Sequence, residues 1–331
     1  MSDTTVDEAP KRRRWLRILL IAAVAFVPLH LLADMVYTAY VACAIDAWEE
    51  TITRDLNGVI EGCDTFDVPP SGDADTDTAI LLVHGLGASP QHYEFIAEDL
   101  AERGYHCRSV RLPGFAEPVA KYRESTSKAW LEKVRSELAS LRKEHDRVGV
   151  VGHSLGGAVT IGVLLDDPQA ADFAVLLAPA VEVSDARSPV LSARTWHEVS
   201  ERSLVFVNVL SSPYPLDCRD PERSDHPGRT PFTPKAIVDQ LFKLMDRNRG
   251  RAEEITVPTT VVVAIDDPIV DTPAAERFYE HLGSTDKDLV RLDNSGHEVT
   301  LDWQWEEVAN AIAQRASAGE PATSVVGGTP E

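Results

Sequence analysis

Cysteine is scarce in this chain of 331 residues: there are four, Cys43, Cys63, Cys107 and Cys218. They form no C-x-x-C pair and no Cys/His cluster at metal-ligand spacing, so a zinc-stapled domain is excluded and no metal is expected. They are also too few for a disulfide scaffold. One bridge, Cys43 to Cys63, stays open for an oxidising compartment, against the alternative of free thiols that pack as small apolar groups. Lysine is equally sparse, 8 residues against 24 arginines, and 32 basic against 53 acidic residues leave a net charge of −21. A polyanion has no electrostatic grip on phosphate backbones, which excludes nucleic acid as a partner. No internal repeat is visible. With 44% hydrophobic and 26% charged residues, wholesale disorder is excluded and the core of one large domain can be filled.

The one long apolar run is N-terminal. After a polar start, Lys11-Arg12-Arg13-Arg14 and Arg17 precede an apolar stretch from Ile18 to Ala33, broken by Pro28 and His30. Asp34 interrupts, and Met35 to Ile45 is again mostly apolar. The core stretch alone reaches about 24 Å as a helix, short of a ~30 Å hydrocarbon layer. Extending it from Trp15 to Tyr40 makes a full span, with Trp15, Tyr37 and Tyr40 at the interfaces and Asp34 near the outer boundary, since a mid-bilayer carboxylate costs about 2.5–3.5 kcal/mol. A cleaved signal peptide would place its small residues late, at Ala39 and Ala42, and Tyr40-Val41-Ala42-Cys43 only loosely matches a lipoprotein box. The reading is therefore a cytoplasmic tail over 1–14, a single transmembrane anchor over 15–40 and a linker over 41–77. The basic cluster puts the N-terminus inside and the catalytic domain on the extracytoplasmic side. From residue 35 onward 27 basic face 49 acidic residues, net −22, a charge that disfavours close approach to anionic lipid. Removal of residues 1–45 is expected to leave a soluble, active domain.

From residue 78 short β-branched runs alternate with amphipathic stretches. Strands are expected at Thr78–Val83, Tyr105–Val110, Arg147–Val151, Phe173–Leu177, Thr259–Ile265 and Leu289–Leu292. Helices are expected at Gln91–Arg103, Ser127–Glu144 with a Ser cap, Leu155–Asp166, Pro273–Leu282 and Trp303–Gln314. Continuous apolar strands between helices give an α/β class with a mostly parallel sheet covered on both faces. The ~80 residues between the Phe173 and Thr259 strands exceed one crossover and form a small cap insertion, about 181–254. It carries apolar candidates for a pocket lining, Trp196, Leu204, Phe206, Val207, Tyr214, Phe232 and Leu241. Residues 316–331 read as a disordered tail.

Four strand-end motifs carry the chemistry. Gly152-His153-Ser154-Leu155-Gly156-Gly157 follows a strand and opens a helix, so Ser154 sits on a tight turn with its hydroxyl above the sheet. His84-Gly85-Leu86-Gly87 follows the first strand. Its glycines let the Leu86 N–H face the same place as the Leu155 N–H at a helix start, giving two donors for a developing oxyanion, with His84 a structural residue beneath the turn. Asp266-Asp267-Pro268-Ile269-Val270 and Asn294-Ser295-Gly296-His297-Glu298 follow the last two strands. A serine nucleophile needs a base, here His297, and the base needs a carboxylate. Only one of Asp266 and Asp267 can point that way; Asp267 is favoured, with Asp293 a lesser substitute.

The motif set of residues 84–87, 152–157, 267–270 and 295–297 resembles the α/β-hydrolase family, and within it is most similar to bacterial carboxylesterases and monoacylglycerol lipases, over about residues 78–315. The resemblance extends to Thr230-Pro231-Phe232, which looks like the end of that branch's cap. It implies a Ser154–Asp267–His297 triad, an oxyanion hole from Leu86 and Leu155, hydrolysis of short- or medium-chain acyl esters or monoacylglycerols through an acyl-enzyme, and no cofactor. The partners expected are a small-molecule ester and the lipid bilayer, with no obligate protein partner. Two other readings stand beside it: an amidase or proline-type peptidase on the same scaffold, and a membrane-tethered binding protein with an idle triad.

Overall fold

The computed structural model describes residues 9–71, 77–212, 216–224 and 228–318. The start of the expected cytoplasmic tail, Tyr214 of the cap and the chain from residue 319 lie outside the described residues.

Three- to seven-residue β-branched and apolar runs make a seven-stranded sheet. β1 is Phe66–Val68, β2 Thr78–Val83, β3 His106–Val110, β4 Arg147–His153, β5 Phe173–Leu177, β8 Thr259–Ala264 and β9 Lys287–Leu292, ordered β1-β3-β2-β4-β5-β8-β9. All neighbours are parallel except β1, which runs antiparallel to β3 at one edge. β1 falls inside the stretch read as linker: it is three residues long, flanked by Asp64 and by Pro69-Pro70, and offers no period to detect. The inner strands β2 and β8 are buried along their whole length, as strands covered on both faces must be.

Helices cover each face. α4 (Ser127–Leu141), α5 (Leu155–Asp166) and α7 (Lys235–Asn248) enclose one core around Trp130, Phe115 and Met245; α2 (Glu94–Glu102) and α9 (Trp305–Ser317) enclose the other around Tyr93 and Phe173. α3 (Val119–Tyr122) and α8 (Thr272–Glu280) complete the body. α4 is capped one residue earlier than its Ser suggested: Thr126 Oγ1 accepts the Ala129 N–H at 3.2 Å, while the Ser127 hydroxyl donates to Gln240. α9 runs through Ser317 with Ala316 fully buried, so the body extends past residue 315.

The insertion between β5 and β8 holds α6 (Ala193–Ser203), a two-stranded antiparallel pair β6 (Val209–Ser211) and β7 (Phe232–Pro234), and then α7. α7 buries Ile237, Leu244 and Met245 in the main core, so this part of the cap is welded to the body. α6 buries none of its residues.

The largest departure from the sequence reading is at the N-terminus. α1 is one helix, Ala9–Glu49, and passes through Pro28 and Asp34 without a break. Residues 41–49 are therefore helix, not linker. From His30 onward one stripe of α1 lies on the cap and its surroundings. Val41, Tyr37, Ala44, Ile45 and Trp48 pack with Val119, Val209 and Phe232. Asp34 is 3% exposed, and its carboxylate accepts the N–H groups of Val205, Phe206 and Val207 at 2.7, 3.0 and 3.0 Å. A helix that looks from sequence like a detachable anchor is, over its second half, part of the folded domain. The cysteines are free: Cys43 lies exposed on α1 and Cys63 is buried with Val59 and Ile60, so no bridge joins them.

Two outcomes follow. A chain beginning at residue 30 is expected to keep the parent melting temperature, whereas one beginning at residue 46 loses Asp34 and Val41 and should melt lower by about 2–4 °C for each kcal/mol of docking removed; differential scanning calorimetry reads both. Gly156→Ala is expected to destabilise by at least about 1–3 kcal/mol in urea unfolding, because a Cβ there would stand 2.1 Å from the Val83 carbonyl oxygen.

Candidate active site

The site forms where the C-terminal ends of β2, β4, β8 and β9 converge. β4 ends at His153, and Ser154 takes φ 52°, ψ −114° before α5 begins at Leu155. That backbone state is rare for a residue with a Cβ and is held by its surroundings. The Ser154 N–H donates to the Leu177 carbonyl at 2.9 Å, and the Ser154 carbonyl accepts from Ala158 and Ala180. The turn closes only because its neighbours lack side chains: a Cβ on Gly152 would lie 2.5 Å from the Gly156 oxygen. The hydroxyl is thereby lifted above the sheet with little freedom.

His297 sits beyond β9. Its Nδ1 lies 2.7 Å from Asp267 Oδ2 and its Nε2 lies 2.8 Å from Ser154 Oγ. Asp267 can only accept, so Nδ1 carries the proton and Nε2 accepts the serine O–H. The other oxygen of Asp267 accepts the Ile269 and Val270 N–H groups at 2.7 and 2.9 Å. Asp267 is thus fixed by the turn after β8 and its side chain is 2% exposed. Its neighbour Asp266 points the other way, 74% exposed, to Arg219. Asp293 accepts from Gln304 through its side chain and from Arg219 through its carbonyl.

The glycine turn after β2 meets the serine directly. A Cβ on Gly85 would lie 3.3 Å from the Ser154 Cβ. His84 lies beneath: its Nε2 accepts the Leu112 N–H at 3.1 Å and its Nδ1 donates to the Gly85 carbonyl at 2.9 Å. Burial pushes its pKa down to about 3. It is a neutral brace for the turn. Leu86 and Ser154 line one cleft of about 360 Å³ with Val183, Leu241, Ile269 and His297. Leu155 opens α5, where first-turn N–H groups have no carbonyl four residues back. Of the cap residues proposed as pocket lining, Leu241 lines this cleft; Val207 and Phe232 are buried elsewhere, and Leu204, Trp196 and Phe206 lie outside it, the last two 42% and 41% exposed. A second cavity, of about 400 Å³, lies between α7 and α8 and holds neither Ser154 nor His297.

Three groups around His297 were not foreseen. Asp217 accepts the His297 backbone N–H at 2.7 Å and an Arg187 guanidinium N–H at 2.5 Å. Glu298, buried, accepts from His92 Nδ1 at 3.3 Å and lies 3.9 Å from His153 Nδ1. His153 Nε2 donates to the His297 carbonyl at 2.9 Å, and burial pushes His153 down to about 4. Glu298 and His153 stand beside the catalytic candidates in the strand-end motifs, but their pairings with His92 and with the His297 carbonyl, and the approach of Asp217, span 80 to 206 residues, and no local pattern signals them. Burial opposes charge on His297, yet Asp267, then Glu298 and Asp217, outweigh it and hold its pKa above the ordinary 6.5. Asp267 is held below the usual carboxylate range: burial alone would raise it, but His297 and the Val270 and Ile269 N–H groups prevail.

The strand order, the turn at Ser154 and the motif positions define an α/β hydrolase. The family described as serine aminopeptidase, S33, matches residues 74–304, and the chain belongs to it, within the lipase and esterase branch of the α/β hydrolases. Over 225 residues, 68% of this chain and 84% of the relative, it is 27% identical to a thermostable monoacylglycerol lipase of Bacillus sp. (strain H-257). Over 231 residues, 68% of this chain and 87% of the relative, it is 26% identical to a carboxylesterase of Bacillus subtilis (strain 168). The solved monoacylglycerol lipase of Paleococcus ferrophilus superposes with a TM-score of 0.64 at 22% identity, over 77% of this chain and 99% of that one.

The base role expected of His297 requires a neutral imidazole, so its raised pKa carries a sign. Activity should fall as pH drops through a value above 6.5, read as the acid limb of kcat/KM. Asp267→Asn should lose about 10³–10⁴-fold in kcat while Asp266→Asn stays near the parent; steady-state kinetics on one ester separates the two aspartates.

Proposed function

We propose that this protein is a serine carboxylesterase or lipase that cleaves short- or medium-chain acyl esters or monoacylglycerols through an acyl-enzyme. The observation that carries the reading is the unbroken relay from Ser154 Oγ to His297 (2.8 Å) to Asp267 (2.7 Å) at the floor of a largely apolar cleft. Ser154 attacks the ester carbonyl carbon as its proton passes to His297 Nε2. The carbonyl oxygen takes the negative charge, met by the Leu86 and Leu155 N–H groups. The tetrahedral species collapses, the C–O bond to the alcohol breaks, and His297 returns its proton to the departing oxygen. Water then attacks the acyl-serine, again losing a proton to His297, and releases the acid and Ser154. Asp267 holds the imidazole tautomer and offsets the positive charge that forms on it. The scheme assigns no cofactor and no metal.

A peptidase acting on free N-termini needs a carboxylate for the substrate ammonium. Among the described residues, the carboxylates lining the cleft are Asp217 and Glu298, and both are engaged: Asp217 by Arg187 and the His297 N–H, Glu298 by His92. That supports an ester over an aminopeptide. A hydrogen-bonded serine–imidazole pair likewise supports an enzyme over an idle binding scaffold. The apolar α1 supports a membrane anchor, with Lys11 to Arg14 on the cytoplasmic side and the hydrolase outside.

Ser154→Ala and His297→Ala should each lose at least about 10³-fold in kcat on a p-nitrophenyl acyl series. Parent-like rates for Ser154→Ala would refute the reading. Run beside monoacylglycerols and aminoacyl amides, the parent enzyme is expected to prefer the esters.

A further inference from the structure

The two faces of α1 carry different information over the same stretch of helix. On one face, polar contacts recur at helical spacing. His30 Nε2 lies 2.9 Å from the Ser203 carbonyl, the Asp34 carboxylate gathers the Val205, Phe206 and Val207 N–H groups, and the Tyr37 hydroxyl accepts the Ser211 N–H at 3.2 Å. Further along, a Glu49 carboxylate oxygen accepts the Val119 N–H at 2.8 Å. Residues 30, 34, 37 and 41 form one stripe, and that stripe is occupied by the cap. Before the first cap contact the helix is apolar and exposed on all sides, at Val24, Phe26, Val27 and Leu29; beyond it the side turned away from the cap stays so, at Leu32, Met35, Val36 and Tyr40.

Length fixes what this means. From Trp15 to Tyr40 the helix rises about 39 Å, roughly 9 Å more than a hydrocarbon core, so its outer part must lie in the headgroup layer. Within that outer part Asp34 and Tyr37 clasp residues 205–211 of the cap, while His30, one turn deeper, meets Ser203. The clasp presents Val205 and Phe206 outward, 62% and 41% exposed, while their own N–H groups are consumed by Asp34. Residues 205–207 pair apolar side chains with backbone donors that are already satisfied, which suits them to the membrane interface outside the hydrocarbon layer.

We propose that α1 and the cap form one membrane-facing unit, in which Asp34 clasps segment 203–211 to the outer end of the span and sets Val205 and Phe206 into the bilayer interface. The partner is the lipid surface itself. The inference rests on the anchor reading of α1 and not on the esterase chemistry. It places the enzyme's cap at the level where acyl chains meet headgroups, with no flexible spacer between anchor and cap.

The test uses the full chain in phosphatidylcholine nanodiscs, with Cys43→Ser and Cys218→Ser removing the accessible thiols. Bimane is attached at Leu29→Cys, Phe206→Cys or Glu307→Cys, and quenching by brominated lipid is measured. Strong quenching at 29 and 206 with none at 307 is expected. Quenching at 29 without 206 would overturn the proposal by showing the cap clear of lipid. Absence of quenching at 29 would overturn the anchor reading and the proposal with it, whatever esterase activity remains. In the same background Asp34→Ala should reduce quenching at 206, leave it at 29, and slow hydrolysis of a vesicle-embedded monoacylglycerol about tenfold relative to a soluble p-nitrophenyl ester. Equal loss on both substrates, or unchanged quenching at 206, would refute the clasp.

Discussion

The site depends on a steric constraint before it depends on any charge. β4 and α5 must pass close enough to β2 that the Ser154 turn touches the Gly85 turn, and only hydrogen fits at Gly152 and Gly156. That closeness forces Ser154 into a φ of 52° and stands its hydroxyl clear of the sheet. It also brings the first N–H of α5 beside the turn after β2. The electrostatics are then added from the other side of the sheet axis, by the turns after β8 and β9. Asp267 is aimed by two backbone N–H groups, and His297 by Asp217 and His153. The imidazole is gripped at its ring and at both ends of its peptide unit, which removes the freedom it would otherwise have to leave the serine.

Around that ring the buried groups divide their labour. His84 and His153 are both driven neutral by burial, so each serves as a directional hydrogen-bonding group rather than a charge. Glu298 is held well below the carboxylate range, since the neighbouring imidazoles outweigh its burial. Asp267 and Glu298, both held below the usual carboxylate range, therefore place negative charge beside His297. They favour the protonated form of His297, whose pKa is raised above its ordinary value.

Legibility followed sequence distance. The strand–Gly-x-Ser-x-Gly–helix turn, the glycine turn after β2 and the Asp-Pro and Gly-His turns are local patterns, each tied to a strand end, and the residues they singled out stand together in the fold. The sheet core was equally readable, because strands such as Thr78–Val83 are apolar on both faces. What escaped was non-local or too short. β1 is three residues with an aspartate at its centre. His92 and Glu298 are 206 positions apart. Asp34 read as a boundary, since a carboxylate after an apolar run ordinarily ends a span. Its true partners were three peptide N–H groups, which no side-chain pattern could announce.

That last pairing has a bearing on biogenesis. Asp34 leaves the ribosome about 170 residues before Val205 to Val207 do. Until that segment emerges, the Asp34 carboxylate lacks the three N–H groups that hold it in the folded chain. Docking of α1 on the cap is thus among the later contacts to form, and a nascent chain stalled before residue 205 carries α1 with an unclasped acid. The sequence separation that hides the contact also sets the order in which helix and cap come together.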